Sequence, residues 1–174
     1  DIDMLGGDNR KPPYTDKNPG GQTPALELDD GSVIGETVVI CEYLDSLHNG
    51  AKLFPASGAA RWTALRRHAL GNNLLDNLML WRNEQLRPQT QQSPETLAAF
   101  ETKVRNAAAA LDREADDLGA APVGIGHVAI ACALSYADFR FSHLGWRQGN
   151  ERIARWFDAF AQRSSMVETA HVDR

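Results

Sequence analysis

The residues that break helices are crowded into the first third of this chain. Of its 174 residues, the segment 1–58 holds 8 of the 14 glycines and 5 of the 8 prolines. Beyond it, the stretches 59–87, 95–118, 127–144 and 150–174 contain a single glycine, Gly71, and no proline. Glycine costs a helix interior roughly 1 kcal/mol and proline about 3 kcal/mol, so long helices belong to the part after residue 58. Turn-rich sequence followed by breaker-free segments predicts a small α/β unit and then a helical domain. The fold class expected is α+β, mostly α, closing with an all-α helical bundle.

In the first part, Ala25-Leu26-Glu27-Leu28 alternates with period two, Asp29-Asp30-Gly31-Ser32 is a tight-turn sequence, and Val33-Ile34 is a second short strand. Together they predict a hairpin. Glu36-Thr37 then leads into Ile40, Tyr43, Leu44 and Leu47, whose i, i+3, i+4, i+7 spacing gives one apolar helix face. The stretch 48–58, with Leu53-Phe54-Pro55, reads as an interdomain linker. Four helical patterns follow. The first, 59–87, is built around Trp62, Leu65, Ala69, Leu74, Leu78 and Trp81. Ser93 caps the second and Pro94 takes its first position, with Leu97, Phe100, Val104, Leu111, Ala115 and Leu118 on one face. The third, Val128 to Phe139, is apolar nearly all round, as befits the buried centre of a bundle. Asn150 is placed to cap the last, whose core face is Ile153, Trp156, Phe157 and Phe160.

Composition excludes several classes. With 43% hydrophobic and 24% charged residues the chain is not disordered as a whole. A net charge of −5 does not suit a duplex-binding surface, so no nucleic-acid partner is expected. Cys41 and Cys132 are the two cysteines and form no CxxC pair. Neither a disulfide framework nor a zinc site is expected; no other metal spacing is present, and a cytoplasmic location follows from the reducing compartment implied. Both thiols lie in apolar helix patterns and read as inert and buried. No run approaches the ~20 apolar residues of a membrane helix, so no membrane partner is expected. No stretch reads as a signal peptide, but the chain opens at Asp1 rather than an initiator Met, so nothing follows about a leader.

The run Asn18-Pro19-Gly20-Gly21-Gln22-Thr23-Pro24-Ala25-Leu26-Glu27-Leu28-Asp29-Asp30-Gly31, followed by Glu36-Thr37 and by Ile40-Cys41-Glu42-Tyr43-Leu44, resembles the cytosolic glutathione transferases of bacterial type. It matches the second half of their thioredoxin-like domain. Leu53-Phe54-Pro55, the long helix, and the buried helix ending in Tyr136-Ala137-Asp138-Phe139-Arg140 continue the likeness to about residue 165. The resemblance implies a partial thioredoxin-like N-terminal domain over 1–47 that binds glutathione, a linker over 48–58, and an all-α C-terminal domain over 59–174. It also implies glutathione as co-substrate, a small hydrophobic electrophile as second substrate, and a homodimer.

The resemblance assigns the glutathione site to Thr23, Pro24, Glu36 and Thr37. In the family the peptide before the proline is cis, leaving the backbone of the preceding residue, here Thr23, to pair with an extended tripeptide as an added strand. Read alone, Pro24 merely starts a strand. Glu36 and Thr37 stand at a helix N-terminus, where unpaired N–H groups attract a carboxylate. The Thr37 N–H and hydroxyl suit the γ-glutamyl carboxylate and the Glu36 side chain suits its ammonium, although the same pair also reads as an ordinary cap. Asn9, Arg10 and Lys11 form a loop that either approaches the glycine carboxylate or is simply solvated. His68, Asn72 and Asp76, four apart, share one face of the long helix, a stripe that borders the second substrate or the dimer interface unless it is only solvated. Gly124 and His127 stand where the family has a capping Ser or Thr and an Asp, so the capping box there is absent or altered, at about 1 kcal/mol.

In the family the residue that activates the thiol is a Tyr, Ser or Cys in the loop after the first strand. The resemblance starts near the end of the second strand, so the catalytic residue is unknown and expected in a preceding segment. Tyr14 follows Pro12-Pro13 in a later connection and is rejected for the role. A sheet without that central strand has unpaired backbone groups, so the 174 residues are expected to be part of a longer protein; folded, soluble material with an intact mass of 19.1 kDa would overturn this. The rival reading is a non-catalytic protein of the same fold that carries ligands or binds partners.

Overall fold

Residues 6–172 are described by the computed structural model, and they divide between Phe54 and Pro55 into two units. In the first, a 3-10 turn (Asp8–Arg10) and a one-turn helix α1 (Tyr14–Lys17) precede β1 (Ala25–Glu27), β2 (Val33–Gly35) and α2 (Thr37–Ser46). The strands pair antiparallel, Ala25 opposite Gly35 and Glu27 opposite Val33. Asp30 makes the predicted turn: its Oδ1 accepts the Ser32 N–H at 2.9 Å, and Gly31 follows at φ +82°, which only glycine adopts without strain.

The apolar face expected on α2 is only half used. Ile40 is buried, but Leu44 and Leu47 are 47% and 64% exposed, because no other described element of the first unit covers that side. Asp45, near the end of α2, is buried instead; its carboxylate accepts the N–H groups of Leu53 (2.9 Å) and Phe54 (3.2 Å). Burial favours its neutral form, yet those bonds and the Lys52 charge outweigh it and hold the carboxyl below its usual range. Lys52 in turn donates to the carbonyls of Asp45 and His48. Leu53 and Phe54 are thereby fastened back onto α2.

The second unit comprises α3 (Gly58–Gln85), α4 (Pro94–Ala120), α5 (Ile125–Phe141), α6 (Glu151–Phe160) and the short α7 (Ser164–Glu168), with 3-10 turns at Gln89–Gln91 and Ser142–Leu144. The N-cap of α4 is as expected: Ser93 Oγ accepts the Thr96 N–H at 3.2 Å, and Pro94 is the first helical residue. Helix α5 is the bundle's centre, with no exposed surface on Ile130, Ala131 or Ala133. It lies very close to α3. A Cβ on Gly71 would come within 2.7 Å of the backbone at Ala129 and Ile130, and one on Gly126 within 2.5 Å of Arg67 Cβ.

Several sequence expectations are corrected here. Trp62 is 70% exposed, not core, and Ala69 is exposed as well. At 100° per residue, Trp62 lies about 120° around α3 from buried Leu74, so its apolar character does not fix the side it takes. Cys132 is exposed, because one narrow strip of α5 (Val128, Cys132, Tyr136, Phe139) reaches the surface, and Cys41 is half-buried. Burial pushes the Cys41 thiol up, which keeps it protonated and unreactive at neutral pH. Asn150 does not cap α6; its amide donates to the Trp146 carbonyl at 2.7 Å. Asp112 of α4 caps that helix instead, its Oδ1 accepting the N–H groups of Arg152 (2.8 Å) and Ile153 (3.0 Å).

The start of α5 has half of a capping box, made by an imidazole. His127 Nδ1 accepts the Gly124 N–H at 3.1 Å, while Nε2 lies 2.9 Å from the Leu118 carbonyl, which it can only reach as donor. The ring is therefore neutral and protonated on Nε2, and Gly124 has no side chain to return the bond. Burial first, and then the charges of Arg67 and Arg163, lower its pKa, against the opposing pull of the Leu118 carbonyl. A histidine with a lowered folded-state pKa binds fewer protons folded than unfolded, so stability is complete above about pH 6.5 and falls as pH drops below it. Denaturant unfolding across pH 5–8 is expected to show this slope in the wild-type chain and a shallower one in His127→Gln.

Candidate functional site

The hairpin register brings the two sequence-predicted parts of the site together. Ala25 pairs with Gly35, so Pro24 and Glu36 flank the ladder at one end, one residue beyond the last pair. Strands lie about 4.8 Å apart, so the Thr23–Pro24 peptide and the first turn of α2 are neighbours. That peptide is cis. The side chains of Thr23, Pro24, Glu36 and Thr37 are all exposed.

Three side chains fix the loop that leads to Thr23. Asn9 Nδ2 donates to the Gly21 carbonyl at 2.7 Å, Asn18 Nδ2 to the Gln22 carbonyl at 2.6 Å, and the Tyr14 hydroxyl to the same Gln22 carbonyl. Gly21 has φ +62°, and a Cβ there would meet the Asn9 carbonyl oxygen at 2.7 Å. Both facts demand glycine. Asn9 Oδ1 is buried and has no hydrogen-bond partner among the described residues. The sequence offered Asn9 only as a loop residue near the ligand; its visible work is to hold Gly21, a pairing across twelve residues that no local pattern signals. Lys11 forms an ion pair with Asp8 at 3.0 Å.

Glu36 is the non-glycine residue with positive φ among the described residues, at φ 70° and ψ 123°. Such a backbone costs on the order of 1–3 kcal/mol and is retained where a site needs it. The conformation turns β2 into α2 within one residue and presents the helix start to solvent. The Glu36 carboxylate accepts the Thr37 N–H at 3.1 Å, so it acts as its own helix cap. The arrangement offers an acceptor for a cation and, one bond away, a donor for an anion.

On α3 the predicted stripe does not form one open face. His68 is 6% exposed, Asn72 half-buried and Asp76 exposed. Large apolar side chains accompany Asp76 at the surface: Trp62, Met79 and Leu80. Among the described residues no cluster of three or more His, Cys, Asp or Glu side chains is arranged to hold a metal ion, and no helix is long and apolar enough to cross a membrane.

Comparison with known proteins agrees with this frame. Residues 1–47 match the glutathione S-transferase N-terminal domain and residues 94–159 the glutathione S-transferase C-terminal domain. A crystal structure of a glutathione transferase family member from Pseudomonas fluorescens Pf-5 with bound glutathione is 35% identical, covers 99% of this chain and 83% of its own, and superposes with a TM-score of 0.91. A second crystal structure of that same Pseudomonas fluorescens target, with bound S-(propanoic acid)-glutathione, is 39% identical over 90% of this chain and 80% of its own, at a TM-score of 0.86. The GST-like protein YibF of Escherichia coli K12 is 25% identical over 87% of this chain and 76% of its own length. The chain belongs to the glutathione S-transferase family. Its fold is the one expected: a thioredoxin-like N-terminal part followed by a helical C-terminal domain.

Proposed function

We propose that this protein binds glutathione through Thr23, Pro24, Glu36 and Thr37 and activates its thiol for attack on a small electrophile. The observation that carries the proposal is the common hairpin end at which the cis Thr23–Pro24 peptide meets the exposed start of α2. An extended peptide laid beside Thr23 gains backbone hydrogen bonds as an added strand. Its γ-glutamyl carboxylate then meets the N–H and hydroxyl of Thr37, and its ammonium meets the Glu36 carboxylate. Family membership and glutathione-bound neighbours support the ligand. In the reaction the thiol gives up its proton, the sulfur lone pair forms a bond to the electrophilic carbon, and the leaving group departs with its bonding electrons. Each unit by which the protein lowers the thiol pKa corresponds to about 1.36 kcal/mol of preference for the anion. The protein acts as a cytoplasmic homodimer, with the apolar surface of α3 around Asp76 as a surface such a dimer would cover.

The test is retention on immobilised glutathione, followed by conjugation to an activated aryl chloride. The wild-type chain is expected to be retained, and Glu36→Ala combined with Thr37→Ala to pass through with an unchanged circular dichroism spectrum. Retention of the double variant would remove the site from these residues. Retention of the native full-length protein without conjugation would instead favour the rival, a ligand-binding protein of this fold that does no chemistry, and N-terminal sequencing of that protein would show whether a Tyr, Ser or Cys stands in the loop after the first strand.

A further inference from the structure

A concave site in the second unit shares no residue with the one above. It lies between the last turn of α4, the start of α5 and the last turn of α6, has a volume of about 280 Å³, and is lined by Gly119, Val123, His127, Trp156, Phe160 and Arg163. Its floor is aromatic. Trp156 and Phe160 stack with centroids 5.0 Å apart at 25°, and the buried His127 ring stands behind them at 6.1 and 6.3 Å. Both nitrogens of His127 are engaged with the backbone, so that wall is neutral. Trp156 is only half-buried and keeps part of its ring surface for a ligand. Gly119 opens the site: a Cβ there would be 3.7 Å from Trp156 Cδ1, and any longer side chain would extend into the space.

One charge stands at the rim. The Arg163 guanidinium lies 5.3 Å from the Phe160 ring centroid. Unlike Arg66, Arg105, Arg147 and Arg152, which pair with carboxylates, it has no acidic partner among the described residues. Stacked rings beneath a guanidinium with no acidic partner among the described residues suit a flat apolar body with one anionic end. The volume is just below the usual range for drug-sized ligands, which limits the body to one or two rings.

We infer that this site binds a small aromatic carboxylate, its rings against Trp156 and Phe160 and its carboxylate on Arg163. The probe is 2-naphthoate, with 2-naphthalenemethanol as the uncharged equivalent, added to the full chain. The readout is the Trp156 indole N–H resonance, assigned by its loss in Trp156→Phe. Naphthoate is expected to shift it saturably, with the alcohol about three- to fivefold weaker, the range of an exposed ion pair. Arg163→Gln should reduce naphthoate to the level of the alcohol and leave the alcohol unchanged. Gly119→Leu, or Val123→Trp should the first variant fail to fold, should abolish the shift by filling the site. The inference is overturned by the absence of a saturable shift, by one that survives both filling variants, or by equal affinity for acid and alcohol. Displacement of naphthoate by excess glutathione would also overturn it, because the probe would then lie in the transferase site. Failure here leaves glutathione retention untouched, so the two proposals stand or fall separately.

Discussion

Glycine at position 36 is expected to give a more stable protein than alanine at the same position, while both lose glutathione. The two variants lack the carboxylate equally and differ by one Cβ. At φ 70° and ψ 123° that Cβ is the source of the strain, on the order of 1–3 kcal/mol. Glycine costs roughly 0.5–1 kcal/mol more in unfolded-chain entropy, which leaves a net advantage of about 1 kcal/mol. A chain of this size should then melt roughly 2–4 °C higher with Glu36→Gly than with Glu36→Ala. Glutathione affinity should fall about tenfold or more in both, the loss of one hydrogen bond to a charged group. Differential scanning calorimetry and titration calorimetry measure the two quantities. Equal melting points would show that the backbone at Glu36 is not strained, and undiminished affinity that its carboxylate is not in the site.

The second large effect concerns the close approach of α3 and α5. Replacing glycine by alanine in a helix interior ordinarily gains about 1 kcal/mol. At Gly71 the new methyl would stand 2.7 Å from backbone atoms of Ala129 and Ile130, which cannot rotate away as a side chain can. Overpacking of this kind costs about 3 kcal/mol, so the steric effect wins and Gly71→Ala is expected to lose a net ~2 kcal/mol, or roughly 4–8 °C in Tm. Gly119→Ala is the control. Its methyl would meet Trp156 Cδ1 at an ordinary 3.7 Å, and the melting point should stay or rise slightly. If both variants melt alike, the two helices are less tightly opposed than described.

What the sequence made legible was whatever is decided within a few residues. The hairpin between Ala25 and Gly35, the Ser93–Pro94 helix start and the largely apolar α5 each rest on local spacing, and the structure has them where expected. Thr23, Pro24, Glu36 and Thr37 follow from family resemblance, and the register explains why two pairs twelve residues apart are neighbours. What stayed hidden depends on partners far along the chain. Asp112 caps α6 from forty residues away, and Asn9 holds Gly21. The exposure of Trp62 and Cys132 depends on which side of each helix its neighbours cover, which hydrophobicity alone does not encode. The altered capping box could be foreseen at Gly124 and His127, but not the second bond from the ring to Leu118, since that carbonyl belongs to another helix.

The contact between the Glu36 carboxylate and the Thr37 N–H has a bearing on which ligands the protein would accept. Under the proposed function, an incoming carboxylate must evict an internal one from the same donor. The evicted group needs somewhere to go, and the ammonium carried on the same ligand carbon is the destination. Recognition is then an exchange in which a zwitterion supplies both halves, whereas a simple acid would leave Glu36 displaced and uncompensated. Such an arrangement screens out lone anions without any steric barrier, by making them compete with a resident they cannot rehouse.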